Sequence, residues 1–239
     1  MALYDIKKLL SENTYPGRGI VIGRSADGKS AMIGYFIMGR SENSRNRVFE
    51  RFDGGIRTKA FDESKMEDPS LIIYNPYLAC GDSIDIITNG DQTNTIFDRF
   101  TEGLTVEEAL ATREFEPDAP NYTPRISGVC YYDFSNGGFE YQLSILKSLS
   151  GDGDFCVRNY FNYPSKPGIG HFIHTYKCDG NPIPSFTGEP EEVAMPDTAK
   201  EFADILWNNL NPDNKVSLFV RQVPLNGDEP SEIIINKNV

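Results

Sequence analysis

The sequence predicts an α+β fold in which helices pack on mainly antiparallel sheets. Strand-like segments outnumber helical ones, and most successive strands are joined by turns too short for the crossover that parallel strands need. No linker long enough to divide the 239 residues is visible, so we expect a single domain over residues 1–239. The hydrophobic fraction of 39% is ordinary for a globular chain.

The first half of the chain predicts two helices and a hairpin. The apolar spacing of residues 2–11 indicates a short amphipathic helix. Asp27-Gly28, between the apolar runs 20–23 and 31–38, is a hairpin turn signal. Further strands are predicted at 71–74 and 83–88, and Asn89-Gly90 then forms a turn. Thr105 and Glu108 have capping-box spacing, which predicts a helix through about Arg113.

The second half is predicted to be richer in strands. Pro117, Pro120 and Pro124 indicate an extended connection. The predicted strands that follow are 125–133 paired with 139–146, then 156–163, 170–176, 216–223 and 233–235. Residues 182–196 read as a loop rich in Pro and Glu, and Asp197 is positioned to cap a helix.

The charge of the chain is unevenly distributed. The formal net charge is −12, yet residues 18–57 hold seven of the twelve arginines. An acidic chain repels polyanions, which argues against binding to nucleic acid or an anionic membrane. The arginine-rich segment leaves room for one local site that holds a small anion.

The cysteines and the N-terminus predict a cytoplasmic location. Cys80, Cys130, Cys156 and Cys178 are far apart and form no C-x-x-C pair, so we expect free thiols. The first residues lack the apolar core of a secretion signal, and no apolar run approaches the roughly 20 residues of a membrane span.

Three motifs are interpreted as structural. Residues 23–30 fit the P-loop pattern, but the β-favouring residues that follow favour a hairpin over the helix that a P-loop requires. His171 and His174 would face opposite sides of a strand and so would not share a metal. Asp152-Gly-Asp154 lacks the remaining positions of a calcium loop. We therefore predict no metal site, although one histidine lining a pocket stays open.

Three polar segments are candidates for binding or chemistry. Residues 39–47 carry three arginines, whose planar forks suit phosphate, although a solvated turn is an equal alternative. The segments 74–77 and 89–95 follow strand ends and offer amides and hydroxyls suited to a polar ring, with ordinary turns as the alternative. Glu114 and Glu116 precede Thr123-Pro124-Arg125, where a carboxylate could act as acid or base, with an ordinary surface glutamate as the alternative.

Taken in order, these segments resemble the archaeal-type IMP cyclohydrolase family. The resemblance covers roughly residues 15 to 135, and the region 150–195 is longer than the compact form of the family. The matching pieces are Gly17-Arg18-Gly19-Ile20-Val21-Ile22-Gly23-Arg24, Gly39-Arg40-Ser41 with Asn46-Arg47, Asn75-Pro76-Tyr77, Thr88-Asn89-Gly90 with Thr93-Asn94-Thr95-Ile96, and Thr123-Pro124-Arg125-Ile126.

The resemblance implies a four-layer α/β/β/α sandwich similar to the N-terminal-nucleophile hydrolases. It implies closure of the purine ring of 5-formamidoimidazole-4-carboxamide ribotide, with loss of water, to give inosine monophosphate. The partner is then a small purine ribotide, no cofactor is needed, and a homo-oligomer is left open. The implied catalytic residues are Tyr77, Glu116 and Arg125, and the implied substrate-binding residues are Arg24, Arg40, Asn46, Arg47, Asn75, Asn89 and Thr93.

On this resemblance, each group has an expected role. Arg24, Arg40 and Arg47 would hold the 5′-phosphate, and Tyr77 and Arg125 would polarise the formyl oxygen. Asn75, Asn89 and Thr93 would orient the base or ribose, and Glu116 would transfer the proton. Two alternatives stay open: a non-catalytic purine-nucleotide-binding relative, and an amide hydrolase on the same fold.

Overall fold

The computed structural model describes residues 3–66, 69 and 71–239. The helices are α1 (Ile6–Glu12), α2 (Glu42–Arg45), α3 (Gln92–Thr101), α4 (Val106–Leu110) and α5 (Ala199–Asn209), with a short 3₁₀ helix at Glu63–Lys65. The strands are β1 (Arg18–Arg24), β2 (Ser30–Met38), β3 (Arg47–Phe52), β4 (Gly55–Ala60), β5 (Tyr77–Ala79), β6 (Ile84–Thr88), β7 (Arg125–Asp133), β8 (Gly138–Ser148), β9 (Cys156–Pro164), β10 (Ile169–His174), β11 (Glu191–Ala194), β12 (Lys215–Pro224) and β13 (Ser231–Asn236).

The strands form two sheets whose neighbouring strands all run antiparallel, as the short connections predict. The first sheet has the order β11-β10-β1-β2-β12-β13, and the second has the order β3-β4-β5-β6-β7-β8-β9. The predicted hairpin is β1–β2, and it excludes a P-loop because Ser30 begins a strand. The α+β fold class is therefore confirmed.

Apolar contacts stack the elements in layers. Ile22 and Ile33 of the first sheet share a buried cluster with Ile87, Ile126 and Leu143 of the second sheet. Successive side chains of a strand point to opposite faces of the sheet, so the residues next to these in each strand face outward. The outer face of the first sheet packs on α1 and α5, and that of the second sheet packs on α3 and α4.

Helix α5 approaches the first sheet closely at Gly34. A Cβ atom built there would lie 2.7 Å from Leu206 Cδ1 and 3.0 Å from the Phe202 ring. A side chain at position 34 would therefore require Leu206 and Phe202 to move, because both pack directly on the Gly34 backbone.

Several boundaries differ from the sequence predictions. Helix α1 begins at Ile6 behind the cap Asp5, so only part of the predicted 2–11 helix is helical, and residues 1 and 2 lie outside the described residues. Helix α4 has the predicted capping box but ends at Leu110. The cap of α5 is Thr198, since Asp197 instead accepts a hydrogen bond from the backbone N–H of Asp27.

Two segments have a different structure from the predicted one. Residues 71–74 are not a strand: the Thr58 hydroxyl binds the backbone of Ile72 and Tyr74 and replaces the strand ladder there. The predicted loop 182–196 contains the edge strand β11, which pairs with β10. Helix α3 follows Asn89-Gly90, where the sequence indicated only a polar turn.

Candidate active site

The candidate site lies where several central strands begin or end. Arg18 begins β1, and it pairs with Ile37 near the end of β2. Thr88 ends β6 and pairs with Ser127, near the start of β7 at Arg125. The antiparallel order therefore brings the loops after β2 and β6, and the loop before β7, to the same end of the sandwich.

A cavity of about 310 Å³ opens at this end, a size in the lower range for small-molecule sites. Its lining includes arginine, carboxylate, tyrosine and amide side chains, and its polar residues are Tyr15, Arg18, Arg40, Ser41, Asn43, Ser44, Glu116, Asp118, Asn121 and Tyr176. Leu71, Ile72 and Ile183 supply its apolar wall. The arginine, carboxylate, hydroxyl and amide groups of this lining suit a charged, polar ligand, because such groups fix the orientation of a bound molecule.

Arg18 is the buried cation of the cavity wall. It is 8% exposed, and its Nε atom is buried and has no hydrogen-bond partner in the described part of the chain. Burial opposes the charge of Arg18, but the neighbouring Glu116 and the tyrosines raise its pKa well above the ordinary range. A buried guanidinium with an unused donor is suited to hold an anion.

Arg47 lies behind this wall and adds positive charge to it. It is fully buried; its Nε donates to the Ser44 carbonyl, and its Nη1 has no partner among the described residues. Burial and the like charge of Arg18 lower the pKa of Arg47. The two positive charges therefore repel each other, and an anion bound nearby would relieve that repulsion.

Glu116 is a buried carboxylate of the cavity, and its pKa is raised above the ordinary value. It is 2% exposed, and its backbone N–H donates to the Thr123 carbonyl, which holds the proline-rich segment in place. Burial raises the pKa of Glu116 to about 7, while Arg18, Arg125 and Arg47 oppose the rise and Asp118 adds to it. Such a group exchanges a proton readily near neutral pH.

A chain of hydrogen bonds runs along the same wall. The Thr123 backbone N–H and hydroxyl donate to the two oxygens of the Asp118 carboxylate at 2.6 and 2.5 Å. The Thr123 hydroxyl also lies 2.5 Å from the hydroxyl of Tyr176. Asp118 and Tyr176 both line the cavity, and Thr123 is buried between them.

Arg40 lies at the exposed side of the cavity. Its Nη1 donates to Asp179 Oδ1 at 2.5 Å and to the Gly180 carbonyl at 2.8 Å. Its guanidinium lies 5.1 Å from the centre of the Tyr15 ring, which in turn stacks on Tyr176. The arginine is thereby held at the cavity with part of its fork open to a ligand.

Arg125 is anchored beside helix α3. Its Nη1 lies 2.8 Å from both Gln92 Oε1 and Asp91 Oδ1, and its charge acts on Glu116. Gly90 permits this position, since a Cβ atom there would overlap Arg125 Nη1. Arg125 therefore lies near Glu116 but outside the cavity lining.

Asn89 and Thr93 are fully buried in the turn that starts α3. Asn89 donates to the Pro124 carbonyl and accepts from the backbone N–H of Ile126 at 2.8 Å. The Thr93 hydroxyl lies 2.6 Å from that of Thr88. The side-chain polar atoms of both residues form hydrogen bonds within the protein, and these bonds hold the end of β6, the start of β7 and the start of α3 together.

Four other predicted residues lie away from the cavity lining. Tyr77 donates its hydroxyl to Asp85 Oδ1 at 2.7 Å within the space between the sheets. The side-chain amide of Asn46 donates to the carbonyl of residue 62 and accepts from the backbone N–H of the same residue. The side-chain amide of Asn75 donates to Asn94 Oδ1. Arg24 ends β1, roughly 20 Å from Arg18 at strand spacing, and donates to the Gly28 and Gly137 carbonyls. The structure thus groups Arg40, Arg47 and Glu116 but not these four.

Arg18, Asp118 and Tyr176 are site residues that were not among the predicted set. Arg18 falls within a matching motif and the arginine-rich segment, so a signal for it was present. Tyr176 lies just beyond β10, in the segment outside the region of resemblance. Nothing in the spacing of Asp118 and Tyr176 along the sequence indicates that Thr123 joins them.

The two histidines lie on opposite faces of β10, as the strand geometry predicts. His171 Nδ1 lies 2.6 Å from the Tyr141 hydroxyl of the second sheet, and burial lowers the pKa of His171 to about 4. His174 instead contacts the Tyr176 carbonyl and Glu191. Residues 3–66, 69 and 71–239 contain no cluster of three or more His, Cys, Asp or Glu arranged for a metal ion. In the same residues, no helix is both long enough and apolar enough to span a bilayer.

Comparison with known proteins supplies the family. The chain matches the model of the family described as "IMP cyclohydrolase-like protein" over residues 15–227. The IMP cyclohydrolase of Methanopyrus kandleri is 32% identical over 189 residues, which cover 72% of this chain and 89% of that protein. The IMP cyclohydrolase of Methanococcus aeolicus is 27% identical over 168 residues, which cover 69% of this chain and 75% of that protein.

A third relative matches a shorter stretch. The IMP cyclohydrolase of Methanosphaera stadtmanae is 35% identical over 121 residues, which cover 48% of this chain and 56% of that protein. The family match is broader than this, since it extends across both sheets and reaches beyond β12. The chain therefore belongs to the IMP cyclohydrolase-like family.

Proposed function

We propose that this chain is an IMP cyclohydrolase, which closes the ring of 5-formamidoimidazole-4-carboxamide ribotide to give inosine monophosphate and water. Family membership and the names of the relatives support this activity. The observation that carries the proposal is Glu116: a buried carboxylate with a pKa of about 7, in a cavity that also contains Arg18 and Arg40.

The reaction requires positioning and proton transfer. The carboxamide nitrogen attacks the formyl carbon of the same molecule, so a new C–N bond forms and the formyl oxygen becomes a hydroxyl. The attacking nitrogen loses one of its two protons, the formamide nitrogen loses its proton, the C–O bond breaks, and the oxygen leaves as water. Because the attack is intramolecular, holding the substrate in a folded conformation removes much of the barrier. All atoms of the product and the water come from the substrate.

Glu116 is the proton carrier of this proposal. As a carboxylate it accepts a proton from the attacking nitrogen, and as an acid it returns a proton to the departing hydroxyl. A pKa of about 7 leaves both forms populated at neutral pH, so one group can serve both steps.

The 5′-phosphate is proposed to bind at the arginine side of the cavity. Arg40 and Arg18 line this side together with the hydroxyls of Ser41 and Ser44. Arg47, buried behind them, supplies positive potential. Arg24 is not included because its guanidinium donates to two carbonyls at the other end of β1.

The other predicted roles stay predictions. Arg125 acts on Glu116 through its charge, which supports a role near the reacting groups. For Tyr77 to polarise the formyl oxygen, its hydroxyl would have to leave Asp85. Asn46, Asn75, Asn89 and Thr93 have internal partners, so we propose that they position the site loops.

We further propose that residues 1–239 act as one domain and that the layered fold is related to the N-terminal-nucleophile hydrolases. The contacts of both outer sheet faces with helices support that relationship. The proposed partner is the purine ribotide, with no nucleic acid and no membrane, at a cytoplasmic location.

The direct test is a ring-closure assay with purified, EDTA-treated protein and the formylated ribotide. We expect a product with the ultraviolet absorbance of hypoxanthine, formed by the wild type and lost in Glu116→Gln. Binding of inosine monophosphate without turnover would identify a non-catalytic relative instead. Release of formate in place of ring closure would identify an amide hydrolase.

A further inference from the structure

The hydroxyl of Tyr176 has a fixed direction of hydrogen bonding. Asp118 accepts from both the backbone N–H and the hydroxyl of Thr123, so its carboxylate oxygens act as acceptors. A threonine hydroxyl has a single hydrogen, and here that hydrogen is used toward Asp118. The Thr123 oxygen must therefore accept at its other contact, the 2.5 Å approach of Tyr176.

It follows that Tyr176 donates its own hydrogen to Thr123. A phenol has one hydrogen and lone pairs on its oxygen, so any further hydrogen bond of Tyr176 is one that it accepts. Tyr176 lines the cavity that also contains Glu116 and Asp118. Its ring is held in place by stacking on Tyr15, with ring centres 5.7 Å apart.

We infer that Tyr176 is a specificity-determining residue that accepts a hydrogen bond from the carboxamide N–H of the substrate. The inference rests on the proposed function, because it takes the carboxamide ribotide as the ligand. A primary carboxamide nitrogen carries two hydrogens. One points to the Glu116 carboxylate, which removes it, and the other is held by the Tyr176 oxygen, which orients the nitrogen toward the formyl carbon.

This arrangement also rejects a ligand without the donor. A carboxylate in place of the carboxamide would present a negatively charged acceptor to the lone pairs of Tyr176 and to Glu116. Sites built to bind a donor discriminate strongly against an analogue that lacks it, because a polar group of the protein is then left unpaired. The Asp118–Thr123–Tyr176 chain thus separates the amide ribotide from the corresponding acid.

The test compares the affinities for two unreactive ligands: the deformylated 4-carboxamide ribotide and its 4-carboxylate analogue. Wild type should prefer the amide. Tyr176→Phe keeps the aromatic ring but lacks the hydroxyl, so the affinity for the amide divided by the affinity for the acid should fall roughly tenfold. In Thr123→Val the Tyr176 hydroxyl is free to donate, so the ratio should also shift toward the acid, through tighter binding of the acid. Tyr131→Phe, on β7 roughly 20 Å from Arg125, is the matched control and should keep the wild-type ratio.

The two variants and a separate turnover assay make the outcomes distinct. An unchanged ratio in Tyr176→Phe, with thermal unfolding like that of wild type, would overturn the inference. If Tyr176→Phe fails to fold, an unchanged amide-to-acid affinity ratio in Thr123→Val would overturn the inference instead. Wild-type protein that prefers the amide but does not close the ring would remove the proposed activity and leave the role of Tyr176 in binding. Wild-type protein that closes the ring, with an amide-to-acid affinity ratio that is the same in both variants, would keep the proposed activity and remove the role of Tyr176.

Discussion

Arg18 and Glu116 are buried beside the same cavity, and each changes the ionisation of the other. Burial raises the pKa of Glu116, and the positive charge of Arg18 limits that rise to a value of about 7. Glu116 in turn helps to raise the pKa of Arg18, so the guanidinium stays charged. One member of the pair is therefore a fixed cation while the other exchanges its proton near neutral pH.

Replacing Glu116 should affect turnover more than affinity. Glu116→Gln keeps the shape of the side chain but cannot carry the proton, so we expect kcat to fall by about 10²- to 10⁴-fold with little change in KM. Steady-state ring closure measures both constants. Glu114→Gln, a change two residues away and outside the cavity lining, is the control and should keep wild-type kinetics. Equal losses in the two variants would contradict the role of Glu116.

The ionisation of Glu116 should make stability depend on pH. Its pKa is about 7 in the folded state and 4.5 when unperturbed, so folding favours the protonated form. The stability from this group is full below about pH 4.5 and is lost as the pH rises through about 7, by roughly 3 kcal/mol. Glu116→Gln lacks this loss, so the unfolding free energy of the variant minus that of wild type should increase as the pH is raised from 5 to 8. Urea unfolding at both pH values gives the difference, and parallel pH profiles would contradict the assigned ionisation.

Substitution of Arg40 should weaken substrate binding. Arg40→Ala removes a guanidinium from the cavity while leaving the buried Arg18 and Arg47, so we expect KM to rise roughly tenfold or more with a smaller change in kcat. Arg57→Ala, which breaks an exposed ion pair with Glu50, should leave KM unchanged.

The same assay on Arg24→Ala tests whether the distant arginine takes part. A wild-type KM in Arg24→Ala agrees with the structure, and a raised KM would restore the role that the sequence predicted for it.

A methyl group at Gly90 should disturb the site without unfolding the protein. In Gly90→Ala the new methyl group would meet the tips of Arg125 and Gln92, which are the ends of flexible side chains and can move away. We expect a small change in Tm and a clear loss of kcat/KM as Arg125 is displaced from the vicinity of Glu116. Gly138→Ala has open space around the new methyl group and should change neither quantity. Wild-type kinetics in Gly90→Ala would show that the position of Arg125 is unimportant.

Asn89 should contribute to stability. Its amide holds the Pro124 carbonyl and the Ile126 N–H, so Asn89→Ala leaves buried backbone groups without partners. The expected destabilisation is about 2–4 kcal/mol, measured by chemical unfolding. The remaining folded protein should bind substrate with near-normal KM. A raised KM with full stability would instead support the predicted role of Asn89 in orienting the base.

Much of the fold follows from local sequence. The hairpin of β1 and β2, the pair β7–β8 and the capping box of α4 each depend on turn or cap chemistry within a few residues. Helix α3 was not predictable in this way, because its polar sequence is poor in helix formers and its start is held by buried contacts with Thr88 and Asn89. Strand β11 forms only because β10 offers it an open edge.

The site was predictable in its residue types and less so in its arrangement. The arginine-rich segment and Glu116 indicated an anion site with a proton carrier, and the structure brings Arg40, Arg47 and Glu116 together. The motif that contains both Arg18 and Arg24 could not show which of them reaches the cavity. That depends on strand length, because residues at opposite ends of β1 lie at opposite ends of the sandwich.

The position of β12 between β2 and β13 has a consequence for how the chain reaches its native state. Ser30 pairs with Pro224, so the centre of the first sheet joins segments that are distant in sequence. Contacts of such long range are slow to form, because a large loop must close before they give any stabilisation. During synthesis the edge of β2 that binds β12 stays unpaired until residues 215–224 have emerged from the ribosome. We expect nascent chains stopped before β12 to aggregate, and chains stopped after it to acquire protease resistance.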